Sequence, residues 1–207
     1  MSMLSEDEKR QAIFDVALKH FIQNGYSKAS TNEIVKEIGI SKGILFHYFK
    51  NKKNLYLYIL DTSIDYFVDY FKKGKNAFSS DIFERILEIT QKKLDLFYEN
   101  PLLYQFVANA FIQIPLEFEK DIKNREQRLA TEYLPLFLKD LDTSKFKDDI
   151  DKEKAIELVI TAIDALSKKY MAQNKDEISK GLENLRYFRD DLKEYIHILK
   201  AGIYKHL

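Results

Sequence analysis

The chain has 207 residues, 45% of them hydrophobic, and its 33 basic side chains balance its 33 acidic ones, so it is long enough for one or two cores and carries no overall charge that would bind polyanions. Without cysteine there is no disulfide and no thiolate metal centre, and six glycines with three prolines are too few turn formers for a strand-rich fold. The charged start MSMLSEDEKR lacks a secretory apolar core and no stretch approaches the ~18 apolar residues of a membrane span, which points to a cytoplasmic protein with no membrane partner.

Apolar residues recur at helical spacing nearly throughout, and the chain reads as all-α with about nine helices. Ile13, Val16, Ala17 and Phe21 mark one face of a first helix that closes at Asn24-Gly25. Ser30-Thr31-Asn32-Glu33 has the form of a capping box and opens a short second helix to Ile38. Gly39 interrupts, and Ser41 is an N-cap for a third short helix to about Phe49. A long fourth helix runs from Asn51 or Lys52 through Phe71, with Leu55, Ile59, Ile64 and Phe67 spread over more than one side. After Gly74 the pattern resumes at Ile82, Ile86, Ile89 and Leu94. Pro101 then sits at the first position of a helix carrying Leu103, Phe106, Val107, Ala110 and Phe111. Pro115 precedes a charged helix with Phe118, Ile122, Leu129 and Tyr133, in which Pro135 predicts a kink. Asp140 to Asp151 reads as a polar loop. Two final helices carry Ile156, Val159, Ile163, Leu166 and Tyr170, then Ile178, Leu182, Leu185, Phe188, Leu192, Ile196 and Leu199.

Two short helices separated by a few residues containing Gly39, behind a supporting helix, have the arithmetic of a helix-turn-helix. Its third helix would enter a DNA major groove N-terminus first. Ser41-Lys42-Gly43 offers backbone N–H groups, a hydroxyl and an ammonium to phosphate, and Gly43 lets the backbone approach closely. Between Tyr26 and Lys53 six lysines face two glutamates, a local balance of +4, which is the field a phosphate backbone requires even when the whole chain is neutral.

The run Ser30 to Leu55, STNEIVKEIGISKGILFHYFKNKKNL, resembles the TetR-family signature, and the preceding IFDVALKHFIQNGYSKAS is similar to that family's first helix. The resemblance covers about residues 10–60; beyond it only the pattern of helices agrees. It implies an N-terminal three-helix head joined by a long connecting helix to a C-terminal helical bundle. Residues 1–50 would bind DNA, and 51–207 would bind a ligand and dimerise. Carried over by position, Thr31, Ser41, His47, Tyr48 and Lys52 become phosphate or sugar contacts, while Lys42 and Gly43 approach base edges. Phe46 stands where Tyr is common, so it is expected to pack or to touch a thymine methyl. The resemblance also implies a repressor that leaves a palindromic operator when a small molecule binds. Phe67, Phe71, Phe97, Tyr104, Phe111 and Tyr133 are the expected pocket for a hydrophobic or aromatic ligand, although the same rings would serve in a solid core. Val159, Ile163, Leu166, Tyr170, Leu185, Phe188, Leu192 and Ile196 are expected at a homodimer interface.

No phosphate loop, nucleophile elbow or dinucleotide fingerprint is present, so no enzyme and no cofactor is expected. His20, His47, His197 and His206 lack metal spacing. Asp140-Leu141-Asp142-Thr143-Ser144 begins like a calcium loop but has Lys145 where glycine is needed. The alternative reading is a helical interaction protein that uses the head to dock another protein.

Overall fold

A computed structural model describes residues 5–73, 78–112, 114–173 and 181–206, and there is no strand among them. The helices are α1 (Glu6–Lys28), α2 (Thr31–Ile38), α3 (Lys42–Phe49), α4 (Lys52–Lys73), α5 (Ile82–Glu99), α6 (Pro101–Ile112), α7 (Glu119–Arg128), α8 (Leu134–Leu138), α9 (Lys152–Gln173) and α10 (Gly181–Ile203). A π turn, Leu129–Tyr133, joins α7 to α8 without a break. This is the form taken by the kink expected at Pro135. Proline offers no N–H to the carbonyl one turn back, so the backbone widens just before it. The Thr131 hydroxyl donates to the Gln127 carbonyl at 2.9 Å inside the same turn. None of the described helices is long and apolar enough to cross a membrane.

The helix starts follow their caps, with one departure. Ser5 and Glu8 form a reciprocal box on α1: the Glu8 N–H donates to Ser5 Oγ at 3.2 Å, and the Ser5 N–H to Glu8 Oε2 at 2.7 Å. The box expected at Ser30 is only half made. Ser30 Oγ accepts from the Glu33 N–H at 3.5 Å, but the Glu33 carboxylate lies 3.9 Å from His20 Nδ1, while His20 Nε2 meets Glu37 at 2.9 Å. The 2.9 Å contact between His20 and Glu37 ties α1 to α2. Near its end, α1 bends at Gly25 (φ 65°).

The chain forms two compact units, Met1–Asp69 with Asn100–Ile122, and Tyr70–Glu99 with Lys123–Leu207. In the first, Ile13, Ala17 and Phe21 of α1 are buried together with Ile34, Val35, Leu45, Phe49, Leu55 and Ile59. Both α2 and α6 pack on α1. Five rings interlock there: Tyr56 lies 5.1 Å from Phe21, 5.1 Å from Phe106 and 4.9 Å from Phe118, and Tyr26 lies 4.6 Å from Phe118. Edge-to-face pairs at such spacings add to the area each ring removes from water. Burial pushes the Tyr56 hydroxyl up to about 12.

In the second unit α10 packs on α5 and α9 around Ile82, Phe83, Val159, Leu192, Ile196 and Ile203. Phe146 joins this core, 1% exposed, although it lies in the segment read from sequence as a polar loop. The segment is instead strapped down along its length. The Asp142 N–H donates to the Ser80 carbonyl at 2.9 Å, the Lys147 N–H to Ile203 at 2.9 Å, and the Lys205 N–H to Lys145 at 2.9 Å. Arg85, also buried, donates to the carbonyls of Ser79 (2.6 Å), Phe137 (2.8 Å) and Lys139 (2.7 Å), satisfying acceptors at the end of α8.

Asp81 caps α5 through the N–H groups of Phe83 and Glu84, and its other oxygen meets Lys145 Nζ at 2.9 Å. Burial raises its carboxyl, but the Lys145 hydrogen bond and the others it accepts outweigh that and hold it below the usual aspartate value. A carboxylate whose pKa is depressed in the folded state stabilises above its unfolded pKa, about 3.9, and loses that contribution as pH falls toward the folded value. Unfolding followed by circular dichroism should therefore show the stability of the parent protein dropping below about pH 4, with a shallower drop in Asp81→Asn. Equal pH profiles for the two proteins would contradict this role.

Candidate nucleic-acid interface

The turn between α2 and α3 depends on Gly39, which adopts φ 76°, ψ 29°, a left-handed conformation that strains any side-chain-bearing residue. The chain then straightens into Ser41, whose Oγ accepts from the Ile44 N–H at 3.3 Å and starts α3. Leu45 and Phe49 are buried, which turns Ser41, Lys42, Gly43 and His47 outward and leaves Phe46 and Tyr48 half-buried. Lys42 Nζ lies 5.6 Å above the Phe46 ring one turn on, so Phe46 backs the lysine. The His47 and Tyr48 rings are 5.6 Å apart. Thr31, half-buried, is the first residue of α2.

A Cβ built on Gly43 would meet only Ser41 Oγ, at 3.7 Å. Nothing within the protein therefore requires glycine there, and glycine in a helix costs up to about 1 kcal/mol against alanine. Gly43→Ala should leave the fold at least as stable in a thermal melt while weakening DNA binding in a gel-shift titration. An alanine variant that binds as tightly as the parent would remove this argument.

Where α3 meets α4, Lys50 has φ 61°, ψ −46°, and the Asn51 N–H donates across it to the Phe49 carbonyl at 2.7 Å. This is a γ-turn of the rarer positive-φ kind, strained for lysine. Asn51 then caps α4, its Oδ1 accepting from the Asn54 N–H at 2.8 Å. The turn sets the angle at which α4 leaves α3.

Two lysines counted in the local positive field are engaged inside the first unit. Lys52 Nζ donates to the Ser27 carbonyl at 3.2 Å and lies 4.6 Å above the Tyr26 ring, and burial pushes its pKa down against the pull of Glu117. An ammonium has three donors, so this contact leaves Lys52 able to bond a phosphate as well as to hold the end of α1. Lys53 meets Asp121 at 2.8 Å and the Glu117 carbonyl at 3.0 Å. A residue absent from the sequence reading also reaches the recognition helix: the Arg10 guanidinium lies 5.2 Å from the centre of the Tyr48 ring. Nothing in the 30–55 run signals it, because it lies 38 positions before Tyr48.

The aromatic residues expected to line a pocket fall in both units. In the first, Phe67 and Tyr104 are 6.2 Å apart ring to ring, Phe111 is half-buried, and burial pushes the Tyr104 hydroxyl up to about 12. In the second, Phe71 packs on Phe137 at 5.9 Å, Phe97 is buried, and Lys72 Nζ lies 5.0 Å over the Tyr133 ring.

Of the residues expected at a dimer interface, Val159, Leu192 and Ile196 lie within the core of their own chain. Ile163, Leu166, Tyr170 and Phe188 are half-buried, and the side chain of Leu185 lies outside the described residues. The same helices expose other large apolar groups: Leu158 at 57%, Tyr187 at 68% and Ile198 at 66%. Tyr187 and Ile198 are eleven residues, close to three turns, apart and share one stripe of α10. The apolar period locates the helices correctly but does not say which apolar face turns inward.

Among the described residues no group of three or more His, Asp or Glu side chains suits a metal ion. The Asp142 carboxylate is spent on the Ser144 N–H (2.8 Å) and hydroxyl (3.0 Å), as in an ordinary turn.

The profile of the bacterial regulatory proteins of the tetR family matches residues 13–59. An HTH-type transcriptional regulator of Staphylococcus aureus (strain USA300) is 30% identical over 159 residues, spanning 70% of this chain and 83% of that protein. Among solved structures, a TetR-like transcriptional regulator from Rhodococcus sp. RHA1 superposes with a TM-score of 0.68 at 17% identity, over 97% of this chain and 100% of the other. The transcriptional regulator FadR from Bacillus subtilis, in complex with stearoyl-CoA, gives 0.66 at 16% identity, over 94% and 99%.

Proposed function

The chain belongs to the tetR family of bacterial regulatory proteins, DNA-binding transcriptional regulators rather than enzymes, and on that premise we propose that it is a cytoplasmic homodimeric repressor released from a palindromic operator by a small hydrophobic or aromatic ligand. The observation that carries the DNA reading is the outward N-terminus of α3. Ser41, Lys42 and Gly43 are exposed there, and the glycine has no internal cause. His47, Tyr48, Lys52 and Thr31 supply donors for the sugar-phosphate backbone, and Lys42 with Phe46 faces the bases. Residues 1–50 are the DNA-binding part of this proposal and 51–207 the part that dimerises and responds to ligand.

Dimerisation follows from the DNA, because two half-sites of a palindrome lie ~34 Å apart and call for a two-fold axis. Leu158, Tyr187 and Ile198 are the side chains that α9 and α10 offer to a second copy, with the buried Val159, Leu192 and Ile196 supporting them from beneath. Phe67 and Tyr104, ring to ring, support an aromatic lining for the ligand. A ligand shifts the equilibrium only by its differential affinity for the free and DNA-bound states, typically 1–3 kcal/mol, and operator must weaken ligand binding by the same factor.

The test is a footprint of the purified protein on DNA flanking its own gene, without and with stearoyl-CoA, the molecule with which the Bacillus subtilis protein was solved in complex. The expected result is paired protection one helical turn apart, with stearoyl-CoA deciding whether a long acyl chain belongs to the ligand class. A single unpaired half-site would overturn the dimer, and absence of protection together with absence of binding to any duplex would overturn the DNA reading.

A further inference from the structure

We propose that Arg10 is a DNA phosphate contact, so that the interface extends from the helix-turn-helix onto the start of α1. The inference rests on the reading of α3 as the DNA-facing helix and adds a residue outside the recognised signature.

Three observations on the first unit carry it. Arg10 is exposed, yet its guanidinium carbon lies 5.2 Å from the centre of the Tyr48 ring, a side chain on the outward part of α3. The placement has a cause in the packing. Arg10 and Phe14 are four residues apart and share one face of α1. Phe14 sits edge-on to Tyr58 at 6.5 Å, and Tyr58 meets Phe49 at 5.0 Å, so three rings bring the first turns of α1 against the α3–α4 corner. Arg10 also has acidic neighbours available, with Glu6 and Asp7 in the turn before it. Among the described residues it nevertheless forms no ion pair with either, and Glu8 is engaged at the Ser5 cap.

A guanidinium over a ring uses its flat face and keeps N–H donors around its rim, in a fork that suits phosphate oxygens. Tyr48 carries its hydroxyl at the edge of the same ring. A cation and a neutral donor from two helices thus stand side by side, and a phosphate is the partner that would accept from both. The charge of Arg10 adds to the exposed Lys42 and Lys50 and offsets the internal engagement of Lys53.

Because phosphates carry no sequence information, the test needs no operator. The full-length protein is titrated with a fluorescent mixed-sequence duplex over a range of salt concentrations, alongside Arg10→Ala, Arg10→Lys and Tyr48→Phe. Arg10→Ala is expected to weaken binding by on the order of tenfold per half-site, and to make the plot of log affinity against log salt shallower by about 0.9 per half-site. Arg10→Lys should keep the parent slope, and Tyr48→Phe should lower affinity without changing it, since a hydroxyl releases no counterion. An unchanged slope in Arg10→Ala would mean that the arginine only braces Tyr48, which overturns the proposal and leaves the DNA reading standing. A parent protein with no measurable binding at low salt would overturn both. Arg10 is exposed, so thermal melts of the variants should match the parent, and a matched melt confirms that a lost slope is a lost contact.

Discussion

Replacing Phe146 by alanine should lower the unfolding free energy by about 3–5 kcal/mol, the range for removing a fully buried aromatic ring. The segment around it is polar, with Asp140, Asp142, Lys145, Asp148, Asp149 and Asp151, and by composition it belongs on the surface. Its one large ring nonetheless enters the core of the second unit, 5.7 Å from the Tyr204 ring, and the backbone of Lys147 pairs with Ile203 beside it. Losing the ring removes its burial and leaves a cavity, because the strap is held on both sides of it: the Asp142 N–H donates to the Ser80 carbonyl before the ring, and the Lys147 N–H to the Ile203 carbonyl after it. Asp149→Ala a few residues on, exposed, should cost less than about 0.5 kcal/mol. Urea denaturation of the two variants checks this. Losses of similar size would show that the segment does not dock as a unit.

The contrast marks where sequence reasoning worked and where it stopped. The N-terminal head was legible almost residue by residue, because each local choice has a local cause. Ser30 and Ser41 cap helices within three residues, Gly39 makes the turn that its missing Cβ permits, and Leu45 and Phe49 are buried at helical spacing. The same local logic located α4 to α7, α9 and α10, and read α7 and α8 as one helix kinked at Pro135. What failed to show were interactions whose partners are distant in sequence. His20 bonds Glu37 across the α1–α2 contact, Arg10 reaches Tyr48, and Phe146 docks beside Tyr204. Lys52 and Lys53 counted toward an external field, yet the carbonyls of Ser27 and Glu117 hold them. Periodicity identifies an apolar stripe without saying whether it faces its own core or another copy, which is why Val159, Leu192 and Ile196 are core while Leu158 and Ile198 are exposed.

Lys42→Ala should flatten the discrimination between operator and its single-base variants by about 1–3 kcal/mol, the range for losing a base-edge contact. The argument starts from position. Lys42 is the first residue of α3, the end that enters the groove, and it is exposed. Its ammonium rests 5.6 Å over the Phe46 ring, which limits its sweep and aims it along the outward face. Gly43 and Ile44 offer no side-chain donor, and the outward Ser41 and His47 are assigned here to the sugar-phosphate backbone, so base reading through hydrogen bonds depends heavily on this one lysine, with DNA shape supplying more. Tyr48→Phe is the control, because a phosphate contact weakens binding to every sequence alike. Lys52→Ala serves less well, since it also frees the Ser27 carbonyl at the end of α1 and mixes a folding loss into the binding loss. The measurement is a matrix of affinities, parent and variants against the operator and each of its single-base substitutions at fixed salt. If Lys42 touches phosphate instead, its loss will lower every column by one factor and make the salt dependence shallower by about 0.9 per half-site. A Lys42→Ala protein that keeps the parent's ranking and spread of affinities would assign base reading to shape and to the apolar Ile44 and Phe46.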